Sequence, residues 1–190
     1  MGSSQNFCQT AEMTLVEKLK RTRLLVLDVD GVLTDGRVVY GGGEEFQFFD
    51  VQDGQGLAWL RKVGITVAWI TGRGCEATRR RAEELGVVEL HVKSGPKHLV
   101  LADVQSRLGI ARDETVAMGD DWPDLAFARE AGCFVAPANA RAEVRERADF
   151  VTSAFGGRGA VRELCESILS ARGELESLLT NYTGETTEAP

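Results

Sequence analysis

The chain has 190 residues, 43% hydrophobic and 27% charged, a size and balance that suit one domain with its own core. A formal net charge of −7 leaves nothing to neutralise a run of phosphates, which argues against nucleic-acid binding. No apolar stretch is long enough to span a bilayer.

In chain order, residues 1–20 read as a mobile start followed by a leading helix over Ala11 to Lys20, with Leu15, Val16 and Leu19 at helical spacing. The start lacks the charged-then-apolar order of a signal peptide. Four scattered cysteines (Cys8, Cys75, Cys133, Cys165) show no pair at metal-ligand spacing and read as reduced thiols, so a cytoplasmic location is expected. Leu24 to Leu27 is a buried strand that stops on Asp28-Val29-Asp30-Gly31. Residues 37–49 read as a β-hairpin around a glycine turn, showing Val38, Tyr40, Phe46 and Phe48. Such a hairpin is barely stable alone. It is expected either to pack on another subunit or to fold back on its own domain.

Beyond it, strands at Ile65 to Ile70, Val88 to Val92, Thr115 to Met118, Cys133 to Val135 and Phe150 to Val151 alternate with helices. The helices lie at Cys75 to Leu85, Lys97 to Leu108, Pro123 to Ala131 and Arg141 to Arg147, three of them followed by a glycine. Arg79-Arg80-Arg81, followed by Glu83 and Glu84, is a helix face. A last helix is expected from Gly159 to Leu179, and residues 180–190 have the composition of a disordered tail. Strict alternation predicts an α/β fold, a Rossmann-like three-layer parallel sheet with helices on both faces, over residues 21–179.

The chemistry gathers where strands end. Asp28, Asp30, Asp120 and Asp121 close two apolar runs, and carboxylates crowded at one sheet edge repel unless a hard divalent cation sits among them. A magnesium site and phosphoryl chemistry follow as the expectation. Asp28, rigid at a strand end, suits an in-line nucleophile. Asp30, on the same side of an extended chain, suits proton transfer to the leaving oxygen and from water. Asp120 completes a metal shell with Asp28 and the Asp30 carbonyl, while Asp121 and Asp124 stand close enough to orient waters or a lysine. Thr71, before Gly72 and Arg73, offers a hydroxyl to a phosphate oxygen, and Lys97 adds a point charge at a helix start. His91 and His98, the only histidines, read as packing or surface residues. Trp59, Trp69 and Trp122 read as core or interface residues.

Asp28-Val29-Asp30-Gly31-Val32-Leu33-Thr34-Asp35, Ile70-Thr71-Gly72-Arg73, Lys97, and Gly119-Asp120-Asp121-Trp122-Pro123-Asp124 together resemble the four motifs of the haloacid dehalogenase superfamily of aspartate-nucleophile phosphatases. The hairpin at Val38–Phe49, the Asp53-Gly54 loop after it, and Phe155 to Glu163 are similar to the capless branch that acts on 3-deoxy-D-manno-octulosonate 8-phosphate. That resemblance implies Mg²⁺, an aspartyl-phosphate intermediate, and a homotetramer in which a neighbouring subunit completes each site. It also implies a substrate pocket lined by Asp50, Val51, Gln52, Asp53, Gly54, Arg73, Arg81 and Lys97, with Arg158 near the neighbour's site. The branch commonly carries asparagine and arginine where this chain has Asp50 and Gln52, and a basic residue where it has Ala58. Fewer cations around the sugar acid leave a nonulosonate 9-phosphate open as a second substrate. A non-catalytic module on the same fold is the distant third reading, and it predicts erosion of residues that are all present here.

Overall fold

The computed structural model describes residues 13–184. The expectations for residues 1–12 and 185–190 lie outside the described residues. The leading helix, α1 (Leu15–Lys20), starts from a capping box: Thr14 Oγ1 accepts from the Glu17 amide, and the Thr14 amide donates to the Glu17 carboxylate. It joins the main core through Leu19, while Val16 faces solvent.

Six strands form one sheet: β1 (Leu24–Leu27), β4 (Thr66–Ile70), β5 (Glu89–His91), β6 (Thr115–Met118), β7 (Cys133–Ala136) and β8 (Phe150–Val151). Their order is β5-β4-β1-β6-β7-β8, and every pairing is parallel. All four β1 residues are fully buried, as expected of a central parallel strand covered on both faces. The pleat divides them between two cores. Leu25 and Leu27 pack with Leu57, Trp59, Leu164 and Ile168, under α2 (Val51–Lys62) and α7 (Ala160–Ala171). Leu24 and Val26 pack with Leu101, Val104 and Phe127, under α4 (Lys97–Leu108) and α5 (Phe127–Glu130). Two further helices, α3 (Glu76–Glu84) and α6 (Ala142–Arg145), complete the α/β alternation.

The chain runs outward from β1 through β4 to β5, then returns to the other side of β1 as β6. A reversal of this kind parts the loops at the strands' carboxyl ends and opens a crevice there. Leu27 pairs with Met118, so the acidic segments after β1 and β6 emerge side by side.

The hairpin consists of β2 (Val39–Gly41) and β3 (Glu44–Phe46), closed by Gly42-Gly43. Its strands are shorter than the sequence suggests, because residues 47–49 leave the ladder. Tyr40 and Phe48 are 73% and 68% exposed.

Three expectations need correction. Asp53 and Gly54 do not form a loop: Asp50 accepts a hydrogen bond from the Gln52 amide at 2.7 Å, and α2 starts at Val51. The span Pro123 to Ala131 is a 3₁₀ turn over Trp122–Ala126 followed by the short α5, Pro123 lying at its start. The last helix is two helices, because Gly173 adopts φ 74° between α7 and α8 (Leu175–Thr183). Residues 180–183 are therefore helical, and Tyr182 accepts a hydrogen bond from Trp59 Nε1 at 3.1 Å. Of the tryptophans, Trp59 and Trp69 are core residues and Trp122 is exposed.

Candidate active site

Asp28 is the first residue past β1, its amide donating to the Met118 carbonyl at 3.1 Å. That bond extends the sheet by one position and fixes the carboxylate above the β1–β6 edge. Three residues on, Gly31 sits at φ 87°, and a Cβ there would lie 2.1 Å from Asp120 Oδ2. Only glycine lets the two acidic segments approach this closely.

Lys97, the first residue of α4, is buried at this edge. Its Nζ lies 2.9 Å from Asp28 Oδ1 and 2.5 Å from Asp124 Oδ1. Asp124 is saturated differently from its neighbours. Its second oxygen accepts from the Asp120 and Asp121 amides at 3.0 and 3.2 Å, so it holds both the lysine and the loop bearing Asp120. Asp121 accepts from the Trp122 amide at 2.8 Å.

Asp28, Asp120 and Asp124 each place an oxygen within 4.8 Å of the others. Burial, then the Asp124 charge, pushes the Asp28 carboxyl up to about 7, against the pull of Lys97. Burial, then Asp124 and Asp28, does the same to Asp120. A cluster of hard oxygen donors with excess negative charge fits Mg²⁺. Asp124 is taken up by Lys97 and two loop amides, so Asp120 and the Asp28 oxygen not paired with Lys97 are the carboxylate donors that would hold it. The Asp30 side chain stands apart from this cluster, toward Arg73 Nε at 3.7 Å and Gln47 Nε2 at 3.1 Å.

A cleft of roughly 300 Å³ is lined by Asp28, Asp30, Thr71, Gly72, Arg73, Lys97, Asp120 and Asp124. Thr71 directly follows β4 and is buried, its hydroxyl accepting from the Arg73 amide at 3.2 Å. Its carbonyl is occupied by the Ser94 amide and hydroxyl.

The other expected sugar contacts are not in this cleft. Val51 is exposed on the first turn of α2. The Gln52 carbonyl faces the Arg162 guanidinium. Asp53 is buried, accepting from the Arg162 amide at 2.7 Å; burial pushes its carboxyl up to about 6, against that hydrogen bond. Gly54 lies under Arg81, which pairs with Glu84 at 2.8 Å and reaches the Asp50 carbonyl. Arg158 is exposed. Within one chain, only Arg73 and Lys97 of the expected substrate cations reach the carboxylates.

Two residues at this edge carry no signal in the sequence. Asn139 donates to the Gly31 carbonyl at 3.1 Å and accepts from the Gly156 amide at 2.6 Å, tying the turn after Asp30 to the segment before α7. Gln47 meets Asp30. Each is a lone amide in an unremarkable stretch, and only the assembled fold brings it to the site.

A family model described as haloacid dehalogenase-like hydrolase matches residues 81–161. The 3-deoxy-D-manno-octulosonate 8-phosphate phosphatase of Salmonella typhi is 40% identical over 177 residues, covering 92% of this chain and 94% of the relative. That of Escherichia coli K12 is 40% identical over 163 residues, covering 85% and 87%. The crystal structure of the Moraxella catarrhalis phosphatase with magnesium, phosphate and KDO superposes with a TM-score of 0.86 at 39% identity, covering 88% of this chain and 97% of that one. The cobalt-bound Haemophilus influenzae enzyme gives 0.83 at 34%, covering 87% and 97%. Relatedness at this identity over 92% of the chain, on a fold whose switch point gathers the acidic motifs, places the chain in the 3-deoxy-D-manno-octulosonate 8-phosphate phosphatase family of haloacid dehalogenase-like hydrolases.

Proposed function

We propose that this chain is a Mg²⁺-dependent phosphatase that converts 3-deoxy-D-manno-octulosonate 8-phosphate to KDO and inorganic phosphate through an aspartyl phosphate at Asp28. The observation that carries the reading is the Lys97–Asp28–Asp120 arrangement at the β1–β6 edge, the same edge at which Thr71 and Gly72 face the cleft. Asp28 Oδ attacks phosphorus in line as the bond to the sugar oxygen breaks, and Asp30 gives that oxygen its proton. Asp30 then takes a proton from water, whose oxygen attacks the aspartyl phosphate and frees the Asp28 carboxylate with phosphate. Lys97, the Thr71 hydroxyl and the Gly72 amide hold the phosphoryl oxygens through both steps. Mg²⁺, held by Asp28, Asp120 and the Asp30 carbonyl, would supply the charge neutralisation that lets a carboxylate approach a phosphate dianion.

The remaining sugar-binding residues are proposed to act across a subunit boundary. Tyr40, Phe48, Val51 and Phe155 are all more than half exposed, apolar surface that suits burial by a second copy. A homotetramer with shared sites would bring Arg158 and the α2 first turn to a neighbour's cleft. The three described thiols are free, and no helix among the described residues is long and apolar enough to cross a membrane; both accord with a cytoplasmic enzyme.

The test is phosphate release across a panel of sugar phosphates, with Mg²⁺ and with excess chelator. The octulosonate 8-phosphate should be hydrolysed fastest, with activity falling on the order of 100-fold or more in chelator. A nonulosonate 9-phosphate turned over faster would move the substrate assignment to that sugar, which the missing cations at Gln52 and Ala58 leave room for. Activity unchanged in chelator would contradict the metal.

A further inference from the structure

Asp30 must present one carboxyl oxygen to the leaving sugar oxygen and later to water, and a carboxyl group on a free rotor spends little time in either pose. Among the described residues, one hydrogen bond restrains it: Gln47 Nε2 donates to Asp30 Oδ1 at 3.1 Å. Gln47 is itself locked. Its Oε1 accepts from the Thr78 hydroxyl at 2.6 Å and from the Cys75 thiol at 3.3 Å. Thr78 is fully buried in α3, and its hydroxyl also accepts from the Cys75 amide. With two donors on its oxygen, the amide can face Asp30 only with its NH₂ group. Two residues earlier, Glu45 holds Arg73 at 2.8 Å, and Arg73 Nε stands 3.7 Å from the other Asp30 oxygen.

We infer that Gln47 is a positioning residue for acid–base catalysis, carrying the rigidity of α3 through its side-chain amide to the Asp30 carboxyl. The inference deepens the phosphatase reading above and rests on it. The segment that follows the hairpin thus has a role inside its own subunit, separate from any contact with a neighbour.

The leaving group makes the inference testable. An alkyl sugar oxygen needs a proton as its bond to phosphorus breaks, whereas p-nitrophenolate leaves without one. Because kcat/KM reports only steps through the first phosphoryl transfer, the later water step does not obscure the comparison. Gln47→Leu removes both hydrogen-bonding functions. Gln47→Glu keeps the acceptor for Thr78 and Cys75 but turns an oxygen toward Asp30. Both variants should lose about tenfold more kcat/KM on the best sugar phosphate of the panel than on p-nitrophenyl phosphate, and in an Asp30→Asn background that selective loss should disappear.

Equal losses on both esters, or a selective loss that persists without the Asp30 carboxyl, would overturn the inference. If Gln47→Leu melts below assay temperature, Gln47→Glu decides alone, since it retains the α3 anchor. A wild-type protein that releases phosphate from neither ester would refute the phosphatase reading, and the inference with it. A wild type active on both leaves the variants to judge Gln47 by itself.

Discussion

Asp28→Asn should reduce phosphate release on the order of 10⁴-fold or more while leaving the fold intact. The amide matches the carboxylate in shape but cannot form the phosphoryl ester, and no other carboxyl at the β1 end occupies its position. Stability should move the opposite way from activity. The native pKa of Asp28, about 7, lies above the ordinary carboxylate value because burial dominates. A raised acid pKa means stability fully present at low pH and lost as pH rises toward 7. Asparagine never ionises, so the metal-free variant should melt no lower than the wild type at pH 8, and their melting temperatures should converge or cross near pH 5. Phosphate release and melting curves at the two pH values check both halves. Retained turnover would remove Asp28 as the nucleophile.

Lys97→Met should damage activity and stability together. Among the described residues, its Nζ is the one cation within 3 Å of both Asp28 and Asp124. Burial alone would lower the lysine pKa, but the Asp28 and Asp124 charges outweigh it and raise the pKa above its usual value. The sign is the same as for Asp28 but the window lies higher: the contribution is present throughout the neutral range and lost only as pH climbs through the raised value. Removing one partner of a buried pair costs about 3–5 kcal/mol, because the carboxylates remain. The cost should be greatest near pH 8 and smaller near pH 5, where Asp28 can take up a proton. Denaturant unfolding at both pH values measures it. Turnover should fall about 10²–10³-fold, as expected when a fixed positive group leaves a transferring phosphoryl. A variant equally stable at both pH values would contradict this view of the lysine.

The sheet was legible because a buried parallel strand announces itself: β1 and β6 are short apolar runs that stop on carboxylates, and they begin and end in the structure where their composition changes. The reach of Lys97 was legible for a similar reason, since a helix start at the carboxyl edge has few places to point. What the chain order hides is contact between segments. Asp53 reads as a polar residue in an acidic loop, yet it lies under the start of α7, more than a hundred residues later. Gln47 and Asn139 meet the turn around Asp30 and Gly31 only after the hairpin and the β7–α6 connection have folded over it. The break between α7 and α8 was missed because Leu175 and Leu179 continue the apolar spacing across Gly173, and a glycine's positive φ is invisible to periodicity.

The decisive measurement is chemical trapping of the enzyme during turnover. Rapid quenching with borohydride reduces an acyl phosphate, and peptide mass spectrometry then locates the reduced residue. The peptide spanning Leu24 to Asp35 should carry homoserine at position 28, only when Mg²⁺ and a phosphate ester are both present. Reduction at any other carboxylate, or an unmodified Asp28 in enzyme caught releasing phosphate, would contradict covalent catalysis at the end of β1.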